Sequence, residues 1–287
     1  MKPIDTRFKK SGGWLLFITA IGLFCLQMGF LFLQSRYDVE YTDNRMFYLI
    51  NLLIAACMAF SIFLLFTVTK KVKLTIASVT ALLILLHAGL LVHHSQKTNQ
   101  VISLSPDLKH LFVIKENKET GQAVHYRTSY WLFARPQEIL PYKTSGEFKV
   151  KWLEKDIAAV TYKADDGTTH QYVGTYGDRD GGTSYTYVGP TLQGTWKGTN
   201  ARVISSPEGI TIDDNGEMER YEWDTIVQFG TLAVVLVKNN QAHWTIALNE
   251  TFKSNSNEPA PPSGTISLYK ATMDRNDPII MEYVSSD

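Results

Sequence analysis

Cysteine is scarce in this chain: among 287 residues there are two, Cys25 and Cys57, and both lie inside uncharged apolar runs. No disulfide framework and no thiolate metal site can therefore form after residue 100. Excess positive charge is missing there too. Residues 98–287 hold 18 basic and 24 acidic side chains, whereas residues 1–97 hold ten and four, so the formal net charge of zero conceals a split of +6 against −6. Nucleic-acid binding rests on lysine and arginine neutralising phosphates, so a net acidic domain gives no reason to expect that partner. The chain also lacks a Gly-x-Ser-x-Gly elbow and a His-Glu-x-x-His pair, the local signatures of one class of serine hydrolase and one class of zinc hydrolase.

Three stretches lack charge altogether: residues 14–33, 46–69 and 74–92. Each is long enough to cross a hydrocarbon core about 30 Å thick at about 1.5 Å rise per residue. In the first, twelve of twenty residues are Leu, Ile or Phe, worth together on the order of −4 to −7 kcal/mol on insertion, which outweighs Gln27. A cleaved signal peptide has a shorter apolar core, about 7 to 15 residues, followed by small residues. Phe32-Leu33-Gln34-Ser35-Arg36 supplies no such site. Three retained transmembrane helices are expected, with a membrane anchor over residues 1–94, a short linker over 95–100 and a β domain over 101–287.

Orientation follows from the flanking lysines and arginines, which resist translocation. Lys2, Arg7, Lys9, Lys10, Lys70, Lys71 and Lys73 stand on one side, the last three in an expected tight turn, against Arg36, Arg45 and Lys97 on the other. With three crossings, a cytoplasmic N-terminus puts the β domain outside the cytoplasm, in a cell envelope facing the plasma membrane.

After residue 101 the pattern changes to short β-prone segments separated by turn residues. Strands are expected at 111–115, 123–133, 148–152, 158–163, 169–175, 184–188, 202–205, 210–212, 226–237, 244–249, 265–271 and 279–284. One helical turn is expected around 136–140. Asp165-Asp166-Gly167 and Asp213-Asp214-Asn215-Gly216 have the composition of hairpin turns. Residues 254–264, rich in Pro, Ser and Asn, suggest a long exposed loop. The fold class expected is membrane-anchored and mixed: three N-terminal transmembrane α-helices, then a mainly antiparallel β domain that is a sandwich, barrel-like or few-bladed and propeller-like.

Candidate sites are few. Within the membrane, Gln27, Asn51 and His87 are the polar side chains of interest, because such residues mark helix contacts or function. A neutral His87 bonded to Asn51 or Gln27 would serve packing alone. Asn51, Ala55 and Ala59 form one row at helical spacing, and Gly22 and Gly29 form another on the first helix. Outside, Tyr176-Gly177-Asp178-Arg179-Asp180-Gly181-Gly182-Thr183 places Asp178 and Asp180 as candidate calcium ligands, although no later glutamate closes a calcium loop. Tyr176, Tyr185 and Tyr187 flank that loop as candidate binding residues, since alternation puts Tyr185 and Tyr187 on one strand face. No catalytic residue and no cofactor is assigned.

The reading that follows is an integral membrane protein, not an enzyme. Its β domain binds a ligand or protein partner at the envelope, and its helices meet the lipid bilayer and a membrane-protein partner as an accessory subunit would. The alternative is a membrane-anchored extracytoplasmic hydrolase whose site is not legible in the sequence.

Overall fold

The computed structural model describes residues 6–177, 187–253 and 261–285. In chain order the elements are α1 (Thr6–Tyr37), β1 (Glu40–Tyr41), α2 (Arg45–Leu65), α3 (Lys70–Lys97), β2 (Thr98–Leu104), β3 (Leu111–Asn117), β4 (Gln122–Ser129), β5 (Phe133–Ile139), β6 (Thr144–Glu154), β7 (Ile157–Ala164) and β8 (Thr169–Thr175). They continue with α4 (Val188–Thr191), β9 (Gly194–Lys197), β10 (Ala201–Ser206), β11 (Gly209–Asp214), β12 (Glu217–Tyr221), β13 (Ile226–Phe229), β14 (Ala233–Lys238), β15 (Gln241–Leu248), β16 (Thr265–Lys270) and β17 (Ile279–Ser285). Three long apolar helices thus precede a mostly antiparallel β domain.

α1, α2 and α3 are each long and apolar enough to cross a membrane. The basic run Lys70-Lys71-Val72-Lys73, expected as a turn, is instead the first turn of α3. Thr69 caps it, accepting a hydrogen bond from the Val72 amide, so the connection between α2 and α3 falls on residues 66–69. α3 runs on to Lys97 and β2 starts at Thr98, so residues 95–100 are helix end and strand.

By compactness the chain forms two units. The first holds the residues up to Gln100 with Asn117–Glu119 and Val124–Glu138, and the second holds the rest. In the first, α1 and α2 pack closely at Gly13, where an added Cβ would stand 2.7 Å from Leu65 Cγ. Gly22 and Gly29, expected to form a packing row, face open space. A small apolar core joins Phe30, Tyr41 and Ile50 with Leu132 and Phe133 against it. β1 pairs antiparallel with β5, Tyr41 opposite Phe133 and Glu40 opposite Ala134, and β4 lies on the other side of β5. α3 packs on α2 and contributes no buried residue.

Two corrections concern this region. Residues 123–133 are not one strand, because Tyr130 and Trp131, both at positive φ, turn the chain between β4 and β5. Residues 136–140 are not helical: β5 continues through Pro136 to Ile139. Proline is tolerated because β1 pairs only with Phe133 and Ala134, leaving no ladder bond on that side for it to break.

The second unit contains a three-stranded sheet, order β6-β7-β8. It also contains a nine-stranded sheet, order β12-β11-β10-β9-β17-β16-β15-β14-β13, which curls until β12 approaches β14 and forms a nearly closed barrel. Alternate residues fill the barrel: Ile210 and Ile212, Val234 and Leu236, Trp244, Ile246 and Leu248, Ile266 and Leu268. The intervening residues of the same strands, including Ala233, Val235, Ala247 and Tyr269, pack outward on Ile157, Ala159 and Val173 of the three-stranded sheet. Both faces of β14 are therefore buried, which is why Ala233-Val234-Val235-Leu236 reads as an unbroken apolar run.

Residues 226–237, expected as one strand, are the hairpin β13–β14. Gly230 (φ +54°) makes the turn against Thr175, whose Oγ1 would lie 2.3 Å from an added Cβ. Asn215 and Gly216, at φ +56° and +92°, make the β11–β12 turn as their composition suggests. Val188 begins the helical turn α4 rather than ending a strand, and residues 184–186 lie outside the described residues. The long 254–264 loop is described only from 261 onward. The barrel-like form is the one adopted.

Candidate functional site

β12 carries Glu217, Glu219 and Tyr221 on one face by the two-residue period of a strand. Tyr221 is buried in the barrel core, which draws Glu219 over the barrel interior. There Glu219 accepts hydrogen bonds from the Tyr221 hydroxyl at 2.7 Å, Trp244 Nε1 at 3.2 Å and Lys238 Nζ at 3.3 Å. His243 Nδ1 stands 3.5 Å away. Partial burial pulls the carboxyl pKa upward, but these donors outweigh it and hold Glu219 down at about 2. The same carboxylate pushes the Tyr221 hydroxyl, already raised by burial, further up.

Beside this hub lies a cleft of about 310 Å³ lined by Thr169, Ile212, Asp214, Glu217, Glu219, Gln241, His243, Trp244 and Lys270 among others. Lys270 sits over the Trp244 ring at 5.0 Å and pairs with Asp214 at 3.3 Å. Lys238 thus pairs with Glu219 and Lys270 with Asp214, while Glu217 adds a further carboxylate to the lining. Such a cleft presents fixed donors and acceptors to a small polar ligand or an extended peptide. Glu219, ionised far below neutral pH and already accepting three hydrogen bonds, has no proton to give and little basicity to take one. Among the described residues no group of three His, Cys, Asp or Glu is arranged to hold a metal ion.

Of the residues singled out in the sequence, Gln27 is an internal strut. Its Nε2 donates to the Phe47 carbonyl at 3.3 Å and its Oε1 accepts from the Tyr41 hydroxyl at 2.9 Å. His87 bonds neither Asn51 nor Gln27; Nδ1 pairs with the Leu83 carbonyl of its own helix at 2.9 Å. Asn51 and His87 nevertheless share a groove of about 560 Å³ between α2 and α3, with Ala55, Ala59, Thr75 and Thr80 along it. Among the described residues the Asn51 side chain makes no hydrogen bond.

Tyr176 is packed within the second unit, its ring stacked on His110 at 4.8 Å and facing Trp152 at 5.9 Å, its hydroxyl donating to the Leu111 carbonyl. Tyr187 is 65% exposed just before α4. Asp178, Asp180 and Tyr185 lie outside the described residues. The Glu219 hub escaped sequence reading because its members come from β12, β14, β15 and β16 and meet only through the curl of the sheet. The local signal was the Glu-x-Glu-x-Tyr alternation after the Asn-Gly turn. Comparison with protein-family models, curated proteins and solved structures finds no match for this chain.

Proposed function

We propose that this is a non-enzymatic accessory subunit of a membrane complex. In this reading the three helices cross the plasma membrane with the N-terminus in the cytoplasm, and the β domain stands outside and offers a binding surface. The seven basic residues on the α1 N-terminal and α2–α3 sides support that orientation.

The observation that carries the docking role is in the helices. α3 has no buried residue, yet the groove it forms with α2 presents Asn51 and His87 alongside the small residues Ala55 and Ala59. In hydrocarbon, polar side chains beside small ones are what lets another helix approach closely and hydrogen-bond. The polar cleft at Glu219 supports recognition over catalysis, because the Glu219 carboxylate is held ionised by three donors and Asp214 is paired with Lys270.

Affinity purification of the full chain in mild detergent tests the reading. A reproducible membrane subunit should co-purify with the native chain and be depleted by Asn51→Leu. Native protein that is repeatedly recovered alone would overturn the docking role.

A further inference from the structure

Tyr130 and Trp131 form the tip of the β4–β5 hairpin and are 92% and 53% exposed. Both adopt left-handed backbone, φ +52° and +63°, a conformation in which Cβ crowds the following carbonyl of a non-glycine residue. The sequence thus places two large rings in a strained turn that turns them away from the protein.

The tip is held rigidly at one level of α1. The Thr42 amide donates to the Leu132 carbonyl at 2.9 Å, and Phe133 stacks on Tyr41 at 5.7 Å and lies parallel to Phe30 at 6.4 Å. Arg135 Nε donates to the Tyr37 carbonyl, the last residue of α1. Phe30 is three residues before the end of the uncharged run 14–33, where Gln34, Ser35 and Arg36 follow. Trp131, two residues from Phe133, lies within about 7 Å of it along the chain. The hairpin tip therefore sits within about 7 Å of Phe133 and the Phe30 level, near the end of the apolar run of α1.

We infer that the Tyr130–Trp131 tip is a membrane-interface anchor that seats its two rings among lipid headgroups beside α1. Tyrosine and tryptophan favour that zone because their apolar bodies and polar tips meet the matching environment. Arg36 and Arg135, both exposed at the same end of α1, are placed to meet lipid phosphates. The anchor fixes the height of this hairpin against the bilayer, so the strain in the turn is offset by ring insertion. The inference rests on α1 crossing a bilayer.

Tryptophan emission of the full chain in nanodiscs, with lipids brominated near the glycerol end of their chains, is the test. The emission lost on Trp131→Phe should be quenched by bromolipid and shielded from aqueous iodide. Quenching by iodide without response to bromolipid places Trp131 in water, and response to neither places it under protein; each overturns the inference. Trp14 in α1 persists in the variant, so bromolipid quenching of the remaining emission reports membrane crossing separately. If Trp131→Phe fails to assemble, Tyr130→Trp should add bromolipid-quenched emission, and added emission that iodide quenches overturns the inference equally.

Discussion

The Tyr41 hydroxyl donates to Gln27 Oε1 at 2.9 Å while its ring stacks on Phe30 at 3.9 Å. The bond is buried and joins the short strand β1 to α1, and Gln27 reaches on to the Phe47 carbonyl of α2. Tyr41→Phe should leave the buried Gln27 oxygen without this donor and destabilise the protein by about 1–3 kcal/mol. Pairing it with Gln27→Leu should give a loss smaller than the sum of the two single changes, because the orphaned acceptor is then gone. Thermal unfolding in detergent, followed by intrinsic fluorescence, measures both; strict additivity would contradict the coupling.

Gly13 and Gly22 are chemically identical and physically opposite. An added side chain at Gly13 meets Leu65, and at Gly22 it meets nothing within 4 Å. Gly13→Val should separate α1 from α2 and cost about 1–3 kcal/mol, while Gly22→Ala should change stability by less than about 0.5 kcal/mol. Equal effects of the two in the same unfolding assay would contradict the close approach.

His125 is buried on β4, 5% exposed. Burial, with Arg127 nearby adding repulsion, lowers its pKa from 6.5 to about 4. The folded state therefore binds fewer protons than the unfolded one between these values. Its neutral form contributes full stability above pH 6.5, and that contribution is lost as pH falls toward 4, by about 3 kcal/mol in all. His125→Gln should flatten the stability profile across that window.

Glu219 acts in a lower window. With its pKa held at about 2 against 4.5, its stabilisation is present above pH 4.5 and is lost as pH falls through 2. The side chain is 31% exposed, so screening limits the effect to about 1–2 kcal/mol. Glu219→Gln should reduce acid sensitivity between pH 4.5 and 2 and leave the His125 contribution at higher pH in place. Denaturant midpoints across that range read the difference.

How much of this was legible in the sequence depended on the range of the interactions. The uncharged runs marked all three helices, since insertion depends on composition within one segment. The Asn215-Gly216 turn was equally local. The junctions at Tyr130-Trp131 and Gly230 were missed because no local rule breaks a β-prone run at two aromatic residues, and Gly230 turns against Thr175 from a distant strand. The pairing of Gln27 with Tyr41, and of Glu219 with Trp244 and Lys238, joins residues that only the tertiary fold brings together. No periodicity encodes such pairs.

The sidedness of the β domain is the claim on which the proposed function most depends. Thr199→Cys, at an exposed bend of that domain, and Lys70→Cys, at the start of α3, can be probed in cells with a membrane-impermeant maleimide. Labelling of Thr199→Cys in intact cells, with Lys70→Cys reacting only after permeabilisation, is the expected outcome. The reverse pattern would contradict the orientation and, with it, the placement of the β domain outside the cytoplasm.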